Sequence, residues 1–171
     1  GIGIMGALHI QLAKLKGARV IACELDEKRL EVAKKMGADV LINSGKVDAV
    51  EEVKRLTDGR GADVVFCTVP SSALAKQSVD MTGKLGRTVF YTSFHPDNPI
   101  EISPNKVHSS EQIITGTVNP MKKDFLIATR LLSSKLIDVC ELISECVPLS
   151  KLDLAMEKAL KPDTYRIVVR P

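Results

Sequence analysis

Tryptophan is absent from this 171-residue chain, and four Phe and two Tyr make up a 4% aromatic content within 44% apolar residues. Its core must therefore be aliphatic, which suits a parallel sheet buried under helices better than an aromatic-rich sandwich. Neither sign of charge dominates, since 24 basic and 21 acidic residues leave +3. The charges are scattered, and pairs such as Lys34-Lys35 and Lys122-Lys123 read as solvated helix faces, so no nucleic-acid partner is expected. No apolar run is long enough to span a bilayer and no charged-then-apolar leader is seen, so the expectation is a soluble, cytoplasmic protein with no membrane partner.

Metal and nucleophile chemistry are also poorly provided for. Cys23, Cys67, Cys140 and Cys146 show no CxxC spacing; the first two lie in apolar strand-like runs and read as reduced core thiols. The pair at 140 and 146 lacks histidine neighbours, so no metal ligand is assigned. His9 lies on a helix beyond its first turn, His95 in an irregular loop, and His108 three residues before Glu111. None has a recognisable Ser or Cys partner, and no HExxH is present, so no catalytic residue is assigned.

What the chain does have is βα alternation. Apolar positions recur at helical spacing from Ile4 to Leu15, with Lys16-Gly17 as a stop. Residues 19–24 read as a strand ending in an acid; Asp26 caps a helix through Met36 that Gly37 closes; residues 40–42 form a strand. A helix over 47–56 stops at DGRG (58–61), and 62–67 is a strand. Residues 70–72 start a helix ending near Met81; Gly83 and Gly86 bracket a loop before a strand at 87–91. Prolines 96, 99 and 104 mark 92–110 mainly as an irregular connection, 111–118 as a strand, and 124–132 as a helix. The tail differs: an apolar segment at 142–147, a helix from 151 to 160 capped by Ser150, and a strand at 164–169. The fold class expected is α/β, a Rossmann-like doubly wound parallel sheet in three layers.

The glycines of GIGIMG, residues 1–6, have the GxGxxG spacing and overlap a helix start. A dinucleotide pyrophosphate needs close backbone approach at a helix N-terminus: Gly1 permits the tight turn, Gly3 leaves space, and Gly6 allows close helix packing. The next strand ends at Glu24, 21 residues after Gly3, where an acid accepts the ribose hydroxyls and repels a 2′-phosphate. That predicts NAD over NADP, although Arg29 could neutralise a phosphate or hold the ribose.

GIGIMG with QLAKLKGARVIACE (11–24), RLEVAKKMGADVLIN (29–43), LTDGRGADVVF (56–66), GRTVFY (86–91), HSSEQIITGTV (108–118) and VPLSKLDLAMEKAL (147–160) resembles, over nearly the whole chain, the nucleotide-binding half of the medium-chain dehydrogenases. These are the zinc-containing alcohol, polyol and threonine dehydrogenases. The resemblance implies that Gly1, Gly3 and Gly6 cradle the pyrophosphate with N–H groups of Ile4 and Met5, and that Glu24 and Arg29 flank the ribose. It places Thr68 and Val69 by the adenine ribose, and Thr92, Ser93, Thr117 and Val118 by the nicotinamide. Pro70, where the family commonly has glycine, and Val118-Asn119, where small residues are usual, depart from the pattern.

The same resemblance implies residues 1–141 as the NAD(P)-binding domain with its first strand truncated, and 142–171 as a segment returning to a catalytic domain that would hold zinc and the proton relay. Such a piece would bind NAD and turn over nothing alone. The whole protein is expected to oxidise a secondary alcohol or polyol as a homodimer or homotetramer, with the TGTV strand or the loop after it as the candidate interface. Rival readings are a non-catalytic nucleotide-sensing domain and an S-adenosylmethionine-dependent methyltransferase.

Overall fold

A computed structural model describes residues 1–161 and 163–171. These fall into two compact units, Gly1–Asp124 and Phe125–Pro171. The first runs α1 (Ile4–Leu15), β1 (Ile21–Glu24), α2 (Glu27–Lys35), β2 (Val40–Asn43), α3 (Ala49–Leu56), β3 (Ala62–Cys67), α4 (Ser72–Met81), β4 (Thr82–Phe90), α5 (Pro104–Ser110) and β5 (Ile113–Gly116). Every ladder is parallel: β1 pairs with β2, and β3, β4 and β5 form a second group in that order. Among the described residues β1 and β3 share no ladder.

One apolar core underlies both groups. Ile42, Ala49, Val53 and Met81 are buried together, and Ile21 and Cys23 of β1 and Ala62 and Val65 of β3 pack against them. Burying a Val or Ile side chain is worth roughly 1.5–3 kcal/mol, so this cluster packs the two strand groups together. Local chemistry sets the helix starts. Asp26 accepts from the N–H groups of Lys28 and Arg29, and Asp48 from those of Val50 and Glu51. Ser71 accepts from Leu74 N–H. Gly37, at φ +100°, turns the chain out of α2, a conformation a side chain would strain.

Four expectations need correction. Gly83 and Gly86 do not bracket a free loop: Thr82 pairs with Ala62, residues 83–86 bulge, and the ladder resumes at Val64 with Arg87. Gly83 is required there because a Cβ would collide with the Arg60 carbonyl. Within 92–110 lies α5, started by Pro104 and capped by Ser103, whose hydroxyl accepts from Lys106 N–H. The strand expected over 111–118 is shorter, because Glu111 is left-handed at φ +50° and closes α5. Ser150 caps no helix; it lies in a 3-10 turn, Leu149–Lys151.

Helix α6 (Lys122–Ser133) begins at the end of the first unit. In the second, β6 (Ile143–Pro148) and β7 (Arg166–Arg170) pair in parallel around α7 (Leu152–Ala159). The four cysteines are free thiols, Cys67 buried, Cys23 half-buried, Cys140 and Cys146 exposed. Among the described residues no helix is long and apolar enough to cross a membrane.

Candidate functional site

The glycine turn lies between the carboxyl ends of β1 and β3 and is tied to both. From β1, Glu24 Oε2 accepts the N–H of Ile2 at 2.6 Å, while Oε1 accepts those of Leu25 at 2.7 Å and Asp26 at 3.3 Å. From the chain just past β3, the Thr68 hydroxyl donates to the Gly1 carbonyl at 2.9 Å. Val69 packs over Gly1 so closely that a Cβ there would collide with its methyl group. The turn is thus held from the ends of both strands.

Each glycine has a different surrounding. A Cβ on Gly6 would collide with the Gly1 carbonyl oxygen, so the start of α1 presses against the turn. A Cβ on Gly3 would meet nothing within 4 Å and would project into open space. Gly3 precedes α1 with no side-chain cap, and the first turn of α1 carries no acid. The first intrahelical bond is Ala7 N–H to the Gly3 carbonyl at 3.0 Å. The N–H groups ahead of it, those of Ile4 and Met5 included, carry the positive end of the helix dipole toward that space. These residues fit a pyrophosphate.

Burial pushes the Glu24 carboxyl upward, but the N–H groups of Ile2, Leu25 and Asp26 outweigh it and hold the group below the ordinary glutamate range. At neutral pH it is a carboxylate. Arg29 is half-buried in the first turn of α2, its N–H on Asp26 at 3.2 Å.

The other expected positions also sit at carboxyl ends of strands, where open α/β sheets bind ligands. Thr92 and Ser93 follow Tyr91 beyond β4, half-buried and exposed respectively. After β5, Thr117 N–H donates to the Phe90 carbonyl at 3.3 Å, which draws this loop to the end of β4, and Val118 is 80% exposed. Pro70 sits in a tight turn closed by Ser71 N–H on the Val69 carbonyl at 2.9 Å. Asn119 takes φ +58°, a left-handed conformation that asparagine tolerates.

One cluster was not foreseen. The half-buried ring of His9 lies 4.4 Å from that of Phe66 and 4.6 Å from that of Tyr91, with Nδ1 2.6 Å from the Met5 carbonyl. Burial lowers its pKa, partly offset by the Met5 carbonyl. The i, i+4 spacing of Met5 and His9 was the available signal, but the two ring partners come from β3 and from just past β4, far away in sequence.

Two clefts, of about 380 and 280 Å³, share no residue with the glycine turn. Both contain Asp80, which is already paired with Lys76 at 2.7 Å and Lys106 at 2.8 Å. Among the described residues no group of three or more His, Cys, Asp or Glu side chains is placed to hold a metal ion, so zinc finds no ligand set there.

The family model described as zinc-binding dehydrogenase matches residues 1–134. A sorbitol dehydrogenase of Halalkalibacterium halodurans is 31% identical over 173 residues, covering 100% of this chain and 50% of that protein. The crystal structure of 2R,3R-butanediol dehydrogenase from Bacillus subtilis is similar with a TM-score of 0.88 at 27% identity, over 100% of this chain and 49% of that one. A Sinorhizobium meliloti structure bound to NADP shares the fold, with a TM-score of 0.90 at 23% identity, over 100% of this chain and 51% of that one. The chain spans about half the length of the curated relatives it matches.

Proposed function

Because this chain belongs to the zinc-binding dehydrogenase family, we propose that it is the NAD-binding part of a dehydrogenase that oxidises a secondary alcohol or polyol to a ketone. The observation that carries the reading is the glycine turn fixed between Glu24 and Thr68, with the open space over Gly3 facing the start of α1. Bound there, NAD would supply a hydride acceptor.

The chain's own residues bind and orient. The N–H groups of Ile4 and Met5, with the turn of Gly1, Gly3 and Gly6, face the pyrophosphate. Glu24, ionised at neutral pH, accepts a ribose hydroxyl with the lone pair left beside its three backbone donors, and its charge opposes a 2′-phosphate. Arg29, Thr68 and Val69 flank that end, and Thr92, Ser93, Thr117 and Val118 border the nicotinamide end. In this reading residues 1–141 form the nucleotide domain and 142–171 return to a catalytic domain, which would bring the zinc and the proton relay. Substrate choice follows the names of the similar sorbitol and butanediol dehydrogenases. The edge of β5, with Ile113 46% exposed, and the Thr117–Val118 segment form the surface for a homodimer or homotetramer.

The test is a titration of NADH and then NADPH into the purified chain, read by nicotinamide emission, which no tryptophan complicates. Saturable binding of NADH with NADPH at least tenfold weaker is expected. Equal affinity for the two would overturn the role given to Glu24, and binding of neither would overturn the reading of the turn.

A further inference from the structure

We infer that Thr68 is a positioning residue for the dinucleotide, acting through the Gly1 carbonyl and not by touching the ligand; this rests on the dinucleotide reading above. Its hydroxyl is committed to that carbonyl at 2.9 Å. The same carbonyl oxygen lies where a Cβ on Gly6 would have to go, and the Thr68 hydroxyl oxygen would be 3.6 Å from that Cβ. Thr68, Gly1 and Gly6 therefore form one contact: the hydroxyl fixes the carbonyl, and the carbonyl sets how closely the first turn of α1 approaches. Glu24 holds the same Gly1–Ile2 peptide from the other side through Ile2 N–H. Held from both sides, this one peptide fixes where the first-turn N–H groups point.

Threonine does this where valine, nearly its equal in shape, cannot. Without the hydroxyl, a partly buried carbonyl loses its donor, and the turn gains freedom that ligand binding must then remove. Because the pyrophosphate is common to both dinucleotides, the loss falls equally on NADH and NADPH, unlike a change at Glu24.

The experiment compares the unaltered chain, Thr68→Val and Thr68→Ser by dinucleotide titration and by amide hydrogen exchange at residues 2–7 without ligand. The expected result is about fivefold weaker binding of both NADH and NADPH in Thr68→Val, faster exchange in the turn, and recovery of both in Thr68→Ser. Unchanged exchange in Thr68→Val would overturn the clamp whether or not any dinucleotide binds. Faster exchange with unchanged affinity would make the bond structural only and overturn the positioning role. If the unaltered chain binds neither dinucleotide, the functional reading fails, and Thr68 has no ligand to position.

Discussion

The carboxylate of Glu24 accepts the backbone N–H of Ile2 at 2.6 Å across 22 positions of sequence. The residue that the ribose reading singles out is therefore also a fastener of the glycine turn. In the ribose reading, selectivity and turn geometry share one side chain, which constrains how each can be altered.

Glu24→Gln keeps one acceptor: the amide oxygen can still accept the Ile2 N–H, while the NH2 that replaces the other oxygen faces the Leu25 and Asp26 N–H groups, and the charge that in the ribose reading opposes a 2′-phosphate is gone. NADH binding should weaken about tenfold and the preference over NADPH should narrow, read by parallel titrations. An unchanged ratio would remove Glu24 from selectivity. The variant should also alter acid stability. The folded pKa of Glu24 is depressed, so its stabilisation is complete above the unfolded value of about 4.3 and is lost as pH falls through the folded value. Thermal midpoints of Glu24→Gln should fall less steeply than wild type below about pH 4.3, while Asp39, held down by Lys14 and Val20 N–H, keeps its share in both.

The elements legible in the sequence are those whose ends are set locally. The limits of α1, the Asp26 and Ser71 caps and the strand Ala62–Cys67 all rest on residues within a turn of the boundary. α5 escaped because a Ser-Pro pair serves both loops and helix starts, and only the surrounding packing decides. The bulge at 83–86 escaped because the Arg60 carbonyl that demands Gly83 arrives from a distant loop. The site divides in the same way. Alternation of strands and helices locates the strand ends, but the contact of Thr68 with Gly1 spans 67 positions and leaves no local mark.

Two of the turn's three glycines make opposite demands. Gly6→Ala drives a methyl into the Gly1 carbonyl, backbone against backbone, and should cost about 1–3 kcal/mol of stability as well as binding. Gly3→Ala meets nothing within 4 Å, so its stability should stay within about 0.5 kcal/mol of wild type. Its NADH affinity should nonetheless fall more than about tenfold, since the methyl fills space given to the pyrophosphate. Thermal denaturation beside titration reads both. A Gly3→Ala chain that binds as wild type would mean that the pyrophosphate lies elsewhere.

His9 supplies a separate pH response at milder acidity. Its ring rests on Phe66 and Tyr91 with Nδ1 directed at the Met5 carbonyl, and burial holds the pKa below the ordinary histidine value. A histidine depressed in the folded state takes up its proton first in the unfolded chain. The stabilisation is whole above the unfolded value of about 6.5 and drains as pH falls through the folded value. His9→Phe keeps a ring between Phe66 and Tyr91 but cannot titrate, whereas the exposed His95 and His108 remain in both chains. From about pH 7.5 down to about pH 5, the wild-type thermal midpoint should decline and that of His9→Phe should stay flatter, even if its starting value is lower for want of the Met5 bond. Parallel slopes would show that the charging of His9 does not oppose the folded state.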